Sequence, residues 1–503
     1  MIGIILLCIR FILSLHIILK PKHIPEPQNA MLHERILNTF GYEPTAEQKQ
    51  AVEVFCQFIA DRSQRPCMLM RGSAGTGKTS LASAFVRTLT ELGLRMMLLA
   101  PTGRAAKVFA LNSGHPAFTI HRKIYRQKAF TGQMSGFNLN DNLAQDTIFM
   151  VDEASMISNN NYGEAAFGSG RLLDDLVSFV YSGRGCRLML IGDMAQLPPV
   201  GEEESPALSH DFLEGYGLNV YLSDLNEVLR QSQDSGILYN ATVVRHMVMG
   251  VGDVALPKVR FQGFADILMV PGDELIESLA SSYSRVGLDE TTVITRSNKR
   301  ANIYNQGIRN MVLGREEELC SGDILMVVKN NYYWTEQEKS NMAFIANGDR
   351  AIVGRARAFR QLYGFHFADV TLRFPDYDDH EQTITVVLDS LRSEAPAMTA
   401  EQQEQLFQGV MSDYEEIPAK ADRLKKVKED VYFNALQVKY AYAVTCHKAQ
   451  GGQWQHVYLD QGYMTDDMLT PDYIHWLYTA FTRATEKLFL VNWPKNQTLG
   501  VRS

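Results

Sequence analysis

Eight consecutive residues, Gly72-Ser73-Ala74-Gly75-Thr76-Gly77-Lys78-Thr79, restrict what this chain can fold into more than any other stretch. They match the pattern GxxxxGK[ST], with a short apolar run at 68–70 before them and an amphipathic run at 79–92 after them. The pattern predicts a strand, a phosphate-binding loop and a helix in direct succession. The glycines let backbone N–H groups approach phosphate oxygens, and the helix amino terminus adds a favourable dipole at the same place. Lys78 is positioned to reach the β- and γ-phosphates of a nucleoside triphosphate, and the Thr79 hydroxyl to ligate Mg²⁺.

The surrounding pattern extends this unit into a sheet domain. Short apolar runs at 68–70, 96–100, 148–151 and 187–191 alternate with helical stretches at 79–92 and 103–111. Such a βαβ rhythm predicts a doubly wound parallel sheet with ligands at the carboxyl ends of its strands. A second rhythm starts at 292–295 and resumes at 439–444, 457–459 and 488–491. Between its halves, residues 322–374 read as short alternating strands with turns such as Ala346-Asn347-Gly348-Asp349, which predicts a small inserted β-barrel. Residues 400–413 read as an exposed helix, and the basic stretch 423–428 as a solvated helix face. The expected architecture is therefore α/β: two parallel-sheet domains of RecA-like type, at 31–222 and at 223–321 with 437–503. The barrel-like insertion occupies 322–436. With 46% hydrophobic and 21% charged residues the chain is an ordinary globular one, and a net charge of −8 excludes a strongly basic nucleic-acid binder while leaving room for a locally basic groove. The six cysteines are scattered without CxxC spacing, which argues against a zinc site or a disulfide framework and fits the cytoplasm.

Two further apolar strands end in polar residues that belong beside the phosphate loop. One runs into Asp152-Glu153: Asp152 is suited to hold Mg²⁺ and Glu153 to polarise an attacking water. The other ends Gly192-Asp193-Met194-Ala195-Gln196, with Gln196 as a sensor of the γ-phosphate.

Taken together, these motifs resemble superfamily 1B helicases of the RecD/Dda type, with the likeness running from about residue 45 to 491. The resemblance implies ATP and Mg²⁺ as cofactors and ATP-driven 5′→3′ movement on single-stranded DNA, with unwinding of DNA forks. Replication, repair or recombination is the implied setting, with other proteins of those processes as possible partners. It also assigns residues. Thr45-Ala46-Glu47-Gln48 is similar to the Q motif, with Gln48 on adenine. Leu225-Asn226-Glu227-Val228-Leu229-Arg230-Gln231 resembles the motif that aims an arginine, here Arg230, at the γ-phosphate. Tyr478-Thr479-Ala480-Phe481-Thr482-Arg483-Ala484 resembles the motif whose arginine, here Arg483, is the second finger. Thr102 and Arg104, His121, and Thr445 and His447 fall in motifs that contact the strand. Two alternatives stay open: an RNA helicase of the same fold, and a non-unwinding, ATP-switched subunit of a repair complex.

Residues 124–147 interrupt the βαβ rhythm, and Gly132 and Gly136 suit a turn between two short strands. In the resembled family a β-hairpin here splits the duplex, which makes Phe130 and Phe137 wedge candidates. At the amino terminus, residues 2–19 are almost wholly apolar but interrupted by Arg10 and His16. A mid-span Arg costs about 2.5–3.5 kcal/mol, so no stable membrane association is expected. Three readings stay open there: translation from Met31, a weak anchor, or a packed strand. Residues 20–29 read as a Pro-containing linker.

Overall fold

A computed structural model of the chain describes residues 26–127, 137–160, 168–228, 234–250, 256–336, 342, 344–465 and 468–499. The apolar leader lies outside them.

Helices α1 (Glu26–Phe40) and α2 (Ala46–Ala60) precede the first strand, β1 (Pro66–Gly72). Helix α1 begins inside the stretch read as linker, because Leu32, Ile36 and Phe40 recur every fourth residue and bury themselves on the first domain. Helix α3 (Lys78–Glu91) follows the phosphate loop, and β2 (Arg95–Ala100), helix α4 (Gly103–Ser113), β3 (Ala117–Thr119), β4 (Thr147–Val151), β5 (Arg187–Gly192) and β6 (Asn219–Leu225) complete the unit. The strands form one parallel sheet in the order β3-β2-β4-β5-β1-β6. Alternation along each strand divides the core. Met68, Met70, Leu98, Met150 and Ile191 face α1, α2 and α3, whereas Cys67, Leu69, Leu99, Val151 and Leu190 face the helix Leu172–Ser182. Phe55 stacks on Phe85 at 3.9 Å across α2 and α3. Because β6 pairs with β1 as far as Leu225, the first sheet runs past the expected boundary at 222.

Helix α5 (Gly236–Val248) opens the second unit, with β7 (Ile267–Val270) and β8 (Thr291–Thr295) next. The chain then leaves for a closed five-stranded barrel: β9 (Ile324–Val327), β10 (Arg350–Leu362), β11 (Phe365–Phe374), β12 (His380–Val387) and β13 (Leu436–Tyr440). Helices α6 (Ala400–Ser412) and α7 (Lys420–Lys428) form an excursion between β12 and β13, and the basic face of α7 is solvated as expected. The chain returns through β14 (Ala443–Thr445), β15 (Trp454–Asp460), α8 (Pro471–Phe481) and β16 (Ala484–Val491). The second sheet is parallel in the order β7-β16-β15-β8-β14. The run at 439–444, read as a single strand of this sheet, is in fact two: β13 closes the barrel and β14 joins the sheet, with only Ala441 and Tyr442 between them.

The barrel is fixed to the second sheet domain by one buried carboxylate. Asp323 accepts Arg309 Nε at 3.1 Å and Nη2 at 3.0 Å, Arg315 Nη1 at 2.7 Å, the Tyr442 hydroxyl at 2.7 Å and the Cys320 N–H at 2.7 Å. Burial pushes its pKa up, but these donors outweigh it and hold the carboxyl below the usual range. Breaking one partner of such a pair costs about 3–5 kcal/mol, because the other charge stays buried. Asp323→Ala should therefore lower unfolding stability by roughly that amount, read by chemical denaturation. Since the folded pKa lies below the unfolded one, the contribution is present above about pH 4. The gap between wild type and variant should accordingly narrow as the pH falls below that.

Candidate active site

The phosphate loop has the backbone the motif requires. Gly75 and Gly77 have φ of 78° and 80°, a region L side chains rarely occupy. A Cβ on Gly72 would lie 2.8 Å from Lys78 Cγ and 2.9 Å from Thr76 Oγ1, so the loop closes only around a bare backbone there. Lys78 Nζ donates to the Ser73 carbonyl at 3.3 Å, which holds the ammonium over the loop. The loop opens onto a cavity of about 380 Å³. Ser73, Ala74, Gly75, Gly77, Lys78 and Thr79 form one wall, and Asp152, Glu153, Asp193 and Gln196 from the ends of β4 and β5 form the next. Thr482 and Arg483, just past α8, close it from the second sheet domain.

Burial, reinforced by the Glu153 charge, pushes the Asp152 carboxyl up to about 7, with Lys78 opposing. Two adjacent carboxylates, one desolvated, beside the Thr79 hydroxyl suit a hard dication with oxygen ligands, so Asp152 and Thr79 fit Mg²⁺. Glu153 sits at φ 53°, a left-handed conformation unusual for a residue with a side chain, which turns it off the strand into the cavity. Gln196 is 6% exposed, and its Oε1 has no hydrogen-bond partner among the described residues. An orphaned buried acceptor in a cavity is costly unless a ligand or water donor meets it. Arg483 is 2% exposed; its donors go to the carbonyls of Thr479 at 3.0 Å and Gly452 at 3.2 Å and to the Thr482 hydroxyl at 3.1 Å.

The two sheet domains meet directly behind this cavity. The Leu197 N–H donates to Thr479 Oγ1 at 2.7 Å, Gln450 Nε2 donates to the Leu197 carbonyl at 2.7 Å, and His475 Nδ1 lies 3.0 Å from the Ala195 carbonyl. Two contacts reach the phosphate loop itself: Tyr478 Oη accepts the Ala74 N–H at 2.9 Å, and Arg245 Nη1, from α5, donates to Ser73 Oγ at 2.9 Å. Arg245 belongs to no motif read from the sequence; its only signal was an arginine beside the buried face of α5 formed by Ile237, Ala241 and Val244. Tyr478 was visible, as the first residue of the Arg483 motif, but without a role.

Other expected site residues sit elsewhere. Gln48 does not line the cavity. It is 1% exposed, its Oε1 accepts the Thr45 N–H at 3.0 Å in the capping box of α2, and its Nε2 donates to the Thr76 carbonyl at 3.0 Å, so it braces the loop from behind. Arg104 is taken up by the domain junction: its guanidinium lies 4.1 Å over the Trp454 ring and donates to the Gln453 carbonyl. Burial, then the Arg350 charge, lowers its pKa to about 10, against the pull of Asp376, Glu290 and Asp289. Burial lowers the His121 pKa to about 4, which favours the neutral imidazole. Its ring lies 6.3 Å from Phe344 of the barrel insertion. Thr102 caps α4 through the Ala105 N–H at 3.2 Å, with Gly451 close against its hydroxyl. Thr445 and His447 lie at the carboxyl end of β14, His447 exposed. Tyr125–Gln127 pairs antiparallel with Phe137–Leu139, as the wedge reading expects of its two strands. Arg230, Phe130 and the Phe137 side chain lie outside the described residues.

Two family models match parts of the chain. The family described as AAA domain matches residues 43–250, and the family described as UvrD-like helicase C-terminal domain matches 440–491. The chain is 25% identical over 291 residues to the ATP-dependent DNA helicase dda of Enterobacteria phage T4, covering 56% of this chain and 60% of that protein. It is 34% identical over 134 residues to the ATP-dependent RecD2 DNA helicase of Deinococcus radiodurans, covering 26% of this chain and 16% of that one. These matches support a superfamily 1 helicase of the RecD/Dda type. The matches to these two relatives thus span 60% and 16% of their own lengths. Among solved structures, Pif1 helicase from Bacteroides in complex with ADP-AlF3 and ssDNA covers 92% of this chain and 95% of its own, at 14% identity and a TM-score of 0.45.

At this site, Lys78→Ala should abolish ATP hydrolysis. Glu153→Gln should do the same while still binding ATP, since it leaves Asp152 and Thr79 in place; steady-state turnover and nucleotide titration separate the two. Arg483→Ala should lower turnover on the order of 10³-fold with little change in ATP affinity, as expected of a cation that acts on the transferring phosphoryl group.

Proposed function

We propose that the chain is an ATP-driven DNA helicase that translocates 5′→3′ on single-stranded DNA and opens forks. The observation that carries this reading is the shared cavity. Lys78, Asp152 and Glu153 come from one sheet domain and Arg483 from the other. Charge developing on the γ-phosphoryl group draws both walls together, and hydrolysis releases them. A motor needs that alternation of closing and opening between two strand-binding units. Arg230, at the start of the second unit, is the second cation in this scheme. Mg²⁺ on Asp152 and Thr79 would supply charge neutralisation at the phosphates.

Single-stranded DNA is the partner that fits. Thr102, Thr445 and His447 lie at or just past the ends of sheet strands and are suited to phosphate oxygens rather than to base edges, as a sequence-indifferent motor requires. Arg104 and His121 act one layer back, Arg104 by joining the domains and His121 by packing beneath the barrel insertion. The 125–139 hairpin is the strand-separating wedge, with Phe130 or Phe137 stacking on the terminal base pair. Stacking on an aromatic contributes about 1–3 kcal/mol per base, comparable to the roughly 1.4 kcal/mol of one DNA stacking step. No helix among the described residues is long and apolar enough to cross a membrane. Work on DNA in the cytoplasm is the setting we infer.

The decisive test is a forked duplex with one tail at a time. The 5′-tailed fork should be unwound with ATP and the 3′-tailed fork should not; equal opening of both, or preference for an RNA fork, would overturn the reading. Replacing residues 129–138 by a Gly-Ser turn should abolish unwinding while leaving DNA-stimulated ATPase intact, and parallel loss of both would remove the wedge assignment.

A further inference from the structure

The phosphate loop has a competitor for its ligand already in place. A backbone N–H in such a loop serves to bind a phosphate oxygen, yet the Ala74 N–H is met by the Tyr478 hydroxyl oxygen at 2.9 Å, across the domain boundary. That hydroxyl has a single proton, which it donates to Asp193 Oδ2 at 2.6 Å. Tyr478 is 1% exposed and Asp193 2% exposed, and the other oxygen of Asp193 accepts the Ala195 N–H at 3.0 Å. Asp193 has no ion-pair partner among the described residues. Burial, with the Asp193 charge, keeps the Tyr478 hydroxyl protonated far above neutral pH. Donation to a carboxylate makes the tyrosine oxygen a stronger acceptor, so Ala74 sees an electron-rich oxygen where a phosphate oxygen would sit.

We infer that Tyr478 competes with the terminal phosphate of the nucleotide for the Ala74 N–H, and so makes contact between α8 and the Asp193–Leu197 loop depend on whether ATP or ADP occupies the site. The inference rests on reading the cavity as an ATP site. Ser73 and Ala74 line the same cavity as Glu153, Gln196 and Arg483, the groups assigned to the terminal phosphate. An incoming phosphate oxygen either displaces the tyrosine oxygen from Ala74 or turns its proton away from Asp193 to accept it. Both outcomes alter the same joint, which Thr479 and Gln450 also grip through Leu197. Tyr478 is thus a positioning residue that distinguishes a third phosphate and passes its presence to the second sheet domain. Arg245 on Ser73 holds the neighbouring loop residue from the same side, so the exchange at Ala74 takes place with the loop otherwise anchored.

The experiment compares nucleotide affinities of the full chain, wild type and Tyr478→Phe, for a non-hydrolysable ATP analogue and for ADP, below the unfolding transition of each. Removing the hydroxyl should tighten the ATP analogue about 10-fold, the worth of one net hydrogen bond. ADP affinity should change less than about 2-fold, and stimulation of ATPase by single-stranded DNA should fall. Asp193→Asn keeps an acceptor for the hydroxyl but removes the charge that strengthens it, and should shift the ratio the same way by less. Equal shifts for both nucleotides, or no shift in either variant, would overturn the inference. If wild type bound neither nucleotide, the ATP-site reading itself would fail; selective binding by wild type with an unchanged ratio in the variants would sink only the role of Tyr478.

Discussion

The joint between the Asp193–Leu197 loop and α8 is the contact on which the rest of the molecule depends. It brings Arg483 to a cavity whose walls from the first sheet domain are built nearly three hundred or more residues earlier in the chain. The hydrogen bonds there are short and shielded: Leu197 N–H to Thr479, Gln450 to the Leu197 carbonyl, Tyr478 to Asp193 and to the Ala74 N–H. Few of them involve formal charges on both sides. A joint of neutral or singly charged hydrogen bonds is strong enough to define a geometry and weak enough to be remade when a phosphate changes one partner. Domains cemented by buried ion pairs would not cycle so readily.

The contrast with the barrel makes the point. Asp323 joins the barrel to the second sheet domain through a fully buried pair with Arg309, with the partly buried Arg315 as a second partner. The barrel also touches the first domain, where Lys107 Nζ donates to the Pro375 carbonyl at 2.6 Å and Phe344 lies near His121 at the base of the 125–139 hairpin. One insertion thus touches both the helix that follows Thr102 and the segment leading into strand 125–127.

Much of this was legible in the sequence, for identifiable reasons. The phosphate loop, Asp152-Glu153 and the Gln196 turn are local patterns at the ends of apolar strands, and parallel sheets bring strand ends to one edge whatever their order. The same logic located the second sheet, the barrel and the hairpin strands. The misplacements came where a local pattern meets a non-local partner. Residues 439–444 have one continuous apolar texture, yet β13 pairs with β9 and β12 while β14 pairs with β8. Residues 26–29 carry a proline and polar residues like a linker, yet the helix they begin is stabilised by Leu32, Ile36 and Phe40 against the first domain.

By itself, then, the sequence determined where the phosphate-loop motif lies, which carboxylates stand beside it, and that two sheet domains carry them. Spacing along a strand or loop sets these through steric and hydrogen-bonding rules that act within a few residues. Only the tertiary structure decided which long side chains reach the site. Arg104 and Gln48 sit in recognisable motifs but turn into the domain junction and the back of the loop, whereas Arg245, in no motif, reaches Ser73. An arginine or tyrosine spans several ångströms, so its destination is set by how two sheets dock. That docking is a sum of contacts between residues such as Ala74 and Tyr478, more than four hundred positions apart.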